Sequence, residues 1–144
     1  MKIARILRLI SSIFLIVCIF LPLTQCRGVV EEGYEGNAPL INNYIFHKNI
    51  VIDESGSIFR LFTWVLPFML ILFAFKFGIS IKLSILQLAS VFFAGVTWLG
   101  IVIMSHVLLW PAYLAAICII LLFILALIEF WCSIKKWRLT KCSS

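Results

Sequence analysis

From Leu83 to Ile128 the chain runs for 46 residues without an Asp, Glu, Lys or Arg. Drawn as one α-helix, that stretch is roughly 69 Å long, about twice the thickness of a bilayer's hydrocarbon core. It therefore has to fold back on itself. The only turn material lies between Ser105 and Pro111, where a small polar residue, His106, Trp110 and a helix breaker come together. A two-helix transmembrane hairpin follows. A water-soluble alternative would have to bury this stretch and two further apolar runs inside a chain of 144 residues, which cannot enclose so large a core. The mean hydropathy of +1.17 agrees.

The remaining apolar runs lie in the first half. Leu9 to Leu23 follows Lys2, Arg5 and Arg8, and a second run lies between Arg60 and Lys76. The fifteen uncharged residues of that second run make about 22 Å of helix, which spans a bilayer only if the flanking side chains snorkel to the headgroups. Trp64 is expected near the outer interface, and Pro67 is expected to kink the helix beyond it. The sequence thus predicts an all-α integral membrane four-helix bundle forming a single domain. Its helices cover 7–23, 59–77, 82–104 and 111–132, with an outer loop at 24–57, a tight hairpin between helices three and four, and a basic tail at 133–144.

The net charge of +6 follows the ends of the apolar runs, so it reads as a topology signal. With both termini cytoplasmic, Lys2, Arg5, Arg8, Lys76, Lys82, Lys135, Lys136, Arg138 and Lys141 lie inside. Only Arg27, Lys48 and Arg60 lie outside. Nine against three is the positive-inside pattern of a plasma (inner) membrane protein with an even number of spans. No zinc-ligand spacing, RNP-like strand or basic amphipathic stripe accompanies the charge, so nucleic acid is not an expected partner.

Two other readings of the N-terminal segment stay open. Leu23-Thr24-Gln25-Cys26 resembles the bacterial lipoprotein signal, in which a Leu three residues before a Cys precedes cleavage and lipidation of that Cys. The resemblance covers four residues and departs at Gln25, where the signal has a small side chain. It implies a lipid on Cys26 and three remaining helices. The other reading is an ordinary cleaved signal peptide, although no A-x-A-like site is present.

Residues 24–57 are the one sizeable polar segment. Gly28 to Pro39 is acidic and glycine-containing and is expected to be an irregular loop. Tyr44-Ile45-Phe46 and Ile50-Val51-Ile52 flank His47-Lys48-Asn49 like the arms of a short hairpin. This segment is the surface most open to recognition, with Glu31, Glu32, Glu35, Tyr44, Phe46, His47, Asp53 and Glu54 as candidate contact residues.

Inside the membrane few residues bear chemistry. Glu129 is the only acid within or beside a membrane helix, and an intramembrane carboxylate is either ion-paired or functional. It is expected to pair with Lys76 or Lys82 at the inner helix ends or to sit solvated at headgroup depth, or else to handle protons or ions. Gln87 is expected to hydrogen-bond across helices. His106 is either a turn residue at headgroup depth or a pH-responsive group. Ser90 with Ala94, and Ala112 with Ala116, are small-xxx-small steps suited to close helix packing. No H-E-x-x-H, G-x-S-x-G, P-loop or paired intramembrane aspartates occur, so neither catalysis nor a cofactor is expected.

The outline is similar to four-span families such as tetraspanins and claudins, whose cysteine and tryptophan loop signatures are absent here. The functional expectation is a non-catalytic protein that binds a partner, as an accessory subunit or an immunity-type protein, through its outer loop and helix faces. The alternative is a small oligomeric channel or transporter using Glu129, Gln87 and His106. Membrane lipid, another membrane protein or a second copy are the expected partners.

Overall fold

A computed structural model describes residues 2–27, 40–43, 54–78, 80–103, 105 and 107–141. Four helices carry the fold: α1 (Lys2–Ile19), α2 (Glu54–Phe77), α3 (Ile81–Ile103) and α4 (Trp110–Lys141). Three of them contain stretches long and apolar enough to cross a membrane, namely Ile58–Phe77, Ile81–Ile103 and Trp110–Lys136. The apolar part of α1, Ile6–Ile19, is shorter.

Each helix packs chiefly against two others, α1 and α3 each lying against both α2 and α4. The buried positions explain why. Along α4 they run Ala112, Ala115, Ile119, Leu122, Ala126 and Glu129, alternating steps of three and four. Along α1 they run Arg8, Ser11, Ser12, Leu15, Cys18 and Ile19. Along α3 they are Leu83, Ser84, Gln87, Ser90, Val91 and Ala94. A repeat near 3.5 residues keeps one seam facing the neighbours over several turns, as in coiled coils. The opposite faces of all four helices expose large apolar side chains, among them Phe14, Phe62, Phe92 and Ile120, the arrangement suited to lipid.

The α2–α3 turn is set by two residues. Gly78, at φ +80°, takes the left-handed conformation after the last turn of α2, and its N–H donates to the Ala74 carbonyl at 3.1 Å. Ser80 then caps α3, its hydroxyl accepting from the Leu83 N–H at 3.2 Å. A left-handed glycine and a serine N-cap are the usual ways to satisfy the orphan groups of abutting helix ends. Pro67 sits inside α2, which continues through it.

The chain is mainly helical as expected, but it contains a small sheet that the sequence reading, with its one hairpin expected at 44–52, does not place. Strands β1 (Thr24–Arg27), β2 (Leu40–Asn43) and β3 (Val107–Leu108) form an antiparallel sheet in the order β2-β1-β3. Thr24 pairs with Asn43 on one side and with Leu108 on the other. The Leu109 N–H also donates to the Leu23 carbonyl at 2.9 Å. The expected α3–α4 hairpin turn is thus pinned to the end of α1 by main-chain bonds. The expected loop at 28–39 and hairpin at 44–52 lie outside the described residues, as does His106.

Candidate functional site

Three polar side chains, Arg8, Gln87 and Glu129, converge at one level of the helix assembly. Arg8 of α1 forms an ion pair with Glu129 of α4. A guanidinium nitrogen of Arg8 also donates to the side-chain oxygen of Gln87 on α3. The Gln87 amide nitrogen then donates to the Leu70 carbonyl of α2 at 3.2 Å. One group from each helix therefore enters a single network. Arg8 is 5% exposed and the Glu129 side chain 10%, so both charges are removed from lipid and from water alike. Gln87 suits the junction because its amide accepts and donates at once. Measured along α3, the layer lies about 9 Å beyond the helix start.

This corrects the sequence reading of Glu129. Its cation is Arg8, whereas Lys76 and Lys82 are exposed beside the α2–α3 turn. The Lys76 ammonium instead lies 5.4 Å from the centre of the Phe77 ring. The reason is register. Glu129 continues the three-four series of buried positions on α4, so its side chain points into the assembly, and Arg8 occupies the equivalent inward series on α1. The α2–α3 turn carries its lysines outward, past the last buried positions Ala74 and Leu83. Beyond Arg8, the Glu129 carboxylate accepts no hydrogen bond among the described residues, which makes the cation the group that holds its charge in place. Arg8 was missed as a site residue because it was counted with the flanking topology charges. Its apolar neighbours Leu7 and Leu9 distinguish it little from Arg5, which stands between Ala4 and Ile6.

The other polar side chains are spent on structure. Ser11, Ser12, Thr63, Ser84 and Ser90 each donate to a carbonyl three or four residues earlier in the chain, at 2.8–3.2 Å. Ser84 also meets Ser133 at 3.1 Å, joining α3 to α4. Trp64, expected at the outer interface, is instead fully buried at 0% exposure. Its indole N–H donates to the Thr97 hydroxyl at 3.0 Å, so a polar partner on α3 permits what an interfacial position would otherwise supply. Trp98 makes a similar bond to the Ala112 carbonyl at 3.1 Å.

Of the candidate packing residues, Ser90, Ala94 and Ala112 are buried, while Ala116 is only half-buried. Ala115 takes the inward place that had been expected of Ala116, because the α4 seam advances by three and then four residues. Cys26 lies in β1, opposite Ile41. Glu54 opens α2. Glu31, Glu32, Glu35, Tyr44, Phe46, His47 and Asp53 fall outside the described residues. Comparisons with protein-family models, with curated proteins and with solved structures find no match to this chain.

Proposed function

We propose that this is a four-span membrane bundle that acts without catalysis, holding its acidic outer segment for recognition by a partner protein. The observation that carries the reading is the internal settlement of the intramembrane polar groups. The Glu129 charge is met by Arg8, Gln87 is engaged on two sides, and the serine hydroxyls are bonded to carbonyls three or four residues earlier in the chain. Trp64, Leu15, Ile19, Leu23 and Leu122 fill the interior at under 2% exposure. Between the terminal lysines, the exposed large side chains described on the spans are apolar apart from the Tyr113 hydroxyl. A pore through one copy would need an open interior and a pore between copies a polar outer stripe, so the packed interior and the apolar outward side chains of the described residues favour the binding reading. What remains for function is at the ends.

The weaker span supports the same picture. Counted by charge, α1 is marginal, yet Arg8 is turned inward and neutralised. The outer face of α1 then reads Ile3, Ile6, Leu7, Ile10, Ile13, Phe14, Val17 and Phe20, all exposed and apolar. Eighteen residues of helix reach about 27 Å, enough to cross with flanking residues snorkelling. Removing Arg8 from the tally of topology charges leaves eight basic residues inside and three outside, which still orients both termini toward the cytoplasm of a plasma membrane.

At the outer end the β1–β2 pairing brings Arg27 opposite Leu40, so the chain leaves for and returns from the acidic segment 28–39 at adjacent points of the sheet. Such a display suits an accessory subunit or an immunity-type protein. In-membrane crosslinking through a C-terminal tag, followed by mass spectrometry, tests the proposal. One abundant foreign membrane protein should be captured, and it should be lost when residues 28–39 are replaced by a glycine-serine segment of equal length. Capture of self-adducts alone, or capture that survives the replacement, refutes it.

A further inference from the structure

We infer that the inner end of this protein is a binding surface for anionic phospholipid headgroups, built chiefly on the last turns of α4. The inference rests on the membrane-spanning reading and not on the identity of any protein partner. Helix α4 has 32 residues, about 48 Å, and so overruns a ~30 Å hydrocarbon core by several turns. The overrun is where its charges lie. Trp131, Lys135 and Arg138 stand at steps of four and three, which places them on one helix face. Trp131 is 73% exposed, and Lys135, Lys136 and Arg138 are exposed below it. An indole prefers the headgroup level, and cations one and two turns beyond it reach lipid phosphates.

The α2–α3 turn adds Lys76 and Lys82, both exposed at the same end. Five cations thus gather there, while the nearest acid, Glu129, is withdrawn into the assembly by Arg8. Had Glu129 paired with the lysines, it would have cancelled part of this field. Because it does not, the exposed charges described at this end are cations and complement a leaflet rich in anionic lipid. Clusters of four to eight basic residues beside a span bind such leaflets, each cation contributing a factor of about five.

The test uses the full chain in nanodiscs assembled from an equimolar mixture of phosphatidylcholine and phosphatidylglycerol. After gentle extraction, the lipid that stays with the protein is counted by mass spectrometry. Wild type should retain phosphatidylglycerol at least about fivefold over the bulk ratio, and 0.5 M salt should reduce that preference. The K135Q/K136Q/R138Q variant, altered only at exposed positions, should keep its helicity and fall toward the bulk ratio. Arg60→Gln, at the opposite end of the spans, should keep the preference. A bulk lipid ratio in wild type, or an undiminished preference in the triple variant, overturns the inference. Failure to enter nanodiscs at all would instead refute the membrane-spanning reading.

Discussion

Removing the carboxylate of Glu129 should destabilise the helix assembly more than any other conservative change in the membrane region. Glu129→Gln keeps the side-chain volume and a polar head but leaves the Arg8 guanidinium, 5% exposed, without its counter-charge. Breaking a buried ion pair from one side costs about 3–5 kcal/mol, and a lone Arg at the centre of a membrane helix costs about 2.5–3.5 kcal/mol on insertion scales. Arg8 is only about 9 Å from the start of α1, and it retains its bond to Gln87. Both facts favour the low end, about 3 kcal/mol. Arg8→Gln should cost about 2 kcal/mol, because the stranded carboxylate can take up a proton. The double variant should cost only about 1 kcal/mol, since two neutral amides can hydrogen-bond to each other and to Gln87. The coupling between the two positions is therefore several kcal/mol, measurable by a double-mutant cycle in mixed micelles with helicity as the readout. Single variants within about 0.5 kcal/mol of wild type, or a double variant equal to the sum of the singles, would refute the reasoning.

Trp64→Phe removes the indole bond to Thr97 but keeps most of the packing, so it should cost about 1 kcal/mol, against about 3–5 kcal/mol for Trp64→Ala, read in the same unfolding assay. Two glycines should respond in opposite directions. Gly78→Ala meets a φ of +80° and should lose about 1 kcal/mol, whereas a methyl at Gly100 meets nothing within 4 Å and should gain up to about 1 kcal/mol from helix propensity. Strand register is open to direct measurement. Gln25 stands opposite Asn42, so a Gln25→Cys/Asn42→Cys pair in a Cys26→Ser background should crosslink on oxidation, while Gln25→Cys paired with Ile41→Cys should not.

Element type was legible where one physical signal dominated. The uncharged run from Leu83 to Ile128 could only be a membrane hairpin, and α3 and α4 begin within one residue of the expected positions. The inward faces were partly legible as well. Ala112 faces inward as expected, whereas the choice between Ala115 and Ala116 depends on a seam that only the packed helices define. What the sequence hid was pairing at a distance. Nothing local tells Arg8 from Lys2 or Arg5 as a topology charge, because its distinction lies in facing a residue 121 positions away. The sheet was hidden for a related reason. Thr24–Arg27 and Val107–Leu108 are too short for an alternating pattern, and they are strands only because the packed helices bring their backbones together. Trp64 was misplaced because interfacial preference is an average over tryptophans, and a hydroxyl on a neighbouring helix overrides it.

The same contacts decide how the lipoprotein-like stretch Leu23-Thr24-Gln25-Cys26 should behave. Cleavage before Cys26 would remove α1 and, with it, Leu15, Cys18, Ile19 and Leu23 from the largest buried cluster. It would strip the cation from Glu129 and uncover the whole seam of α4 that α1 now covers. The main-chain bond from Leu109 to Leu23 would go too, together with two residues of the strand that pins the α3–α4 turn. At about 1.5–3 kcal/mol for each fully buried aliphatic side chain, plus the cost of an unpaired intramembrane carboxylate, the remainder would lose stability comparable to that of a whole small domain. Retention of α1 is therefore the expected outcome, and it also agrees with Gln25 standing where the lipidation signal has a small side chain. Intact mass of the membrane-extracted protein checks it. A species at about the 16.5 kDa of the full chain supports retention. A diacylated species beginning at Cys26 would mean that Arg8 is not needed to keep Glu129 in the membrane, and the ion pair would then lose its place as the organising contact of the fold.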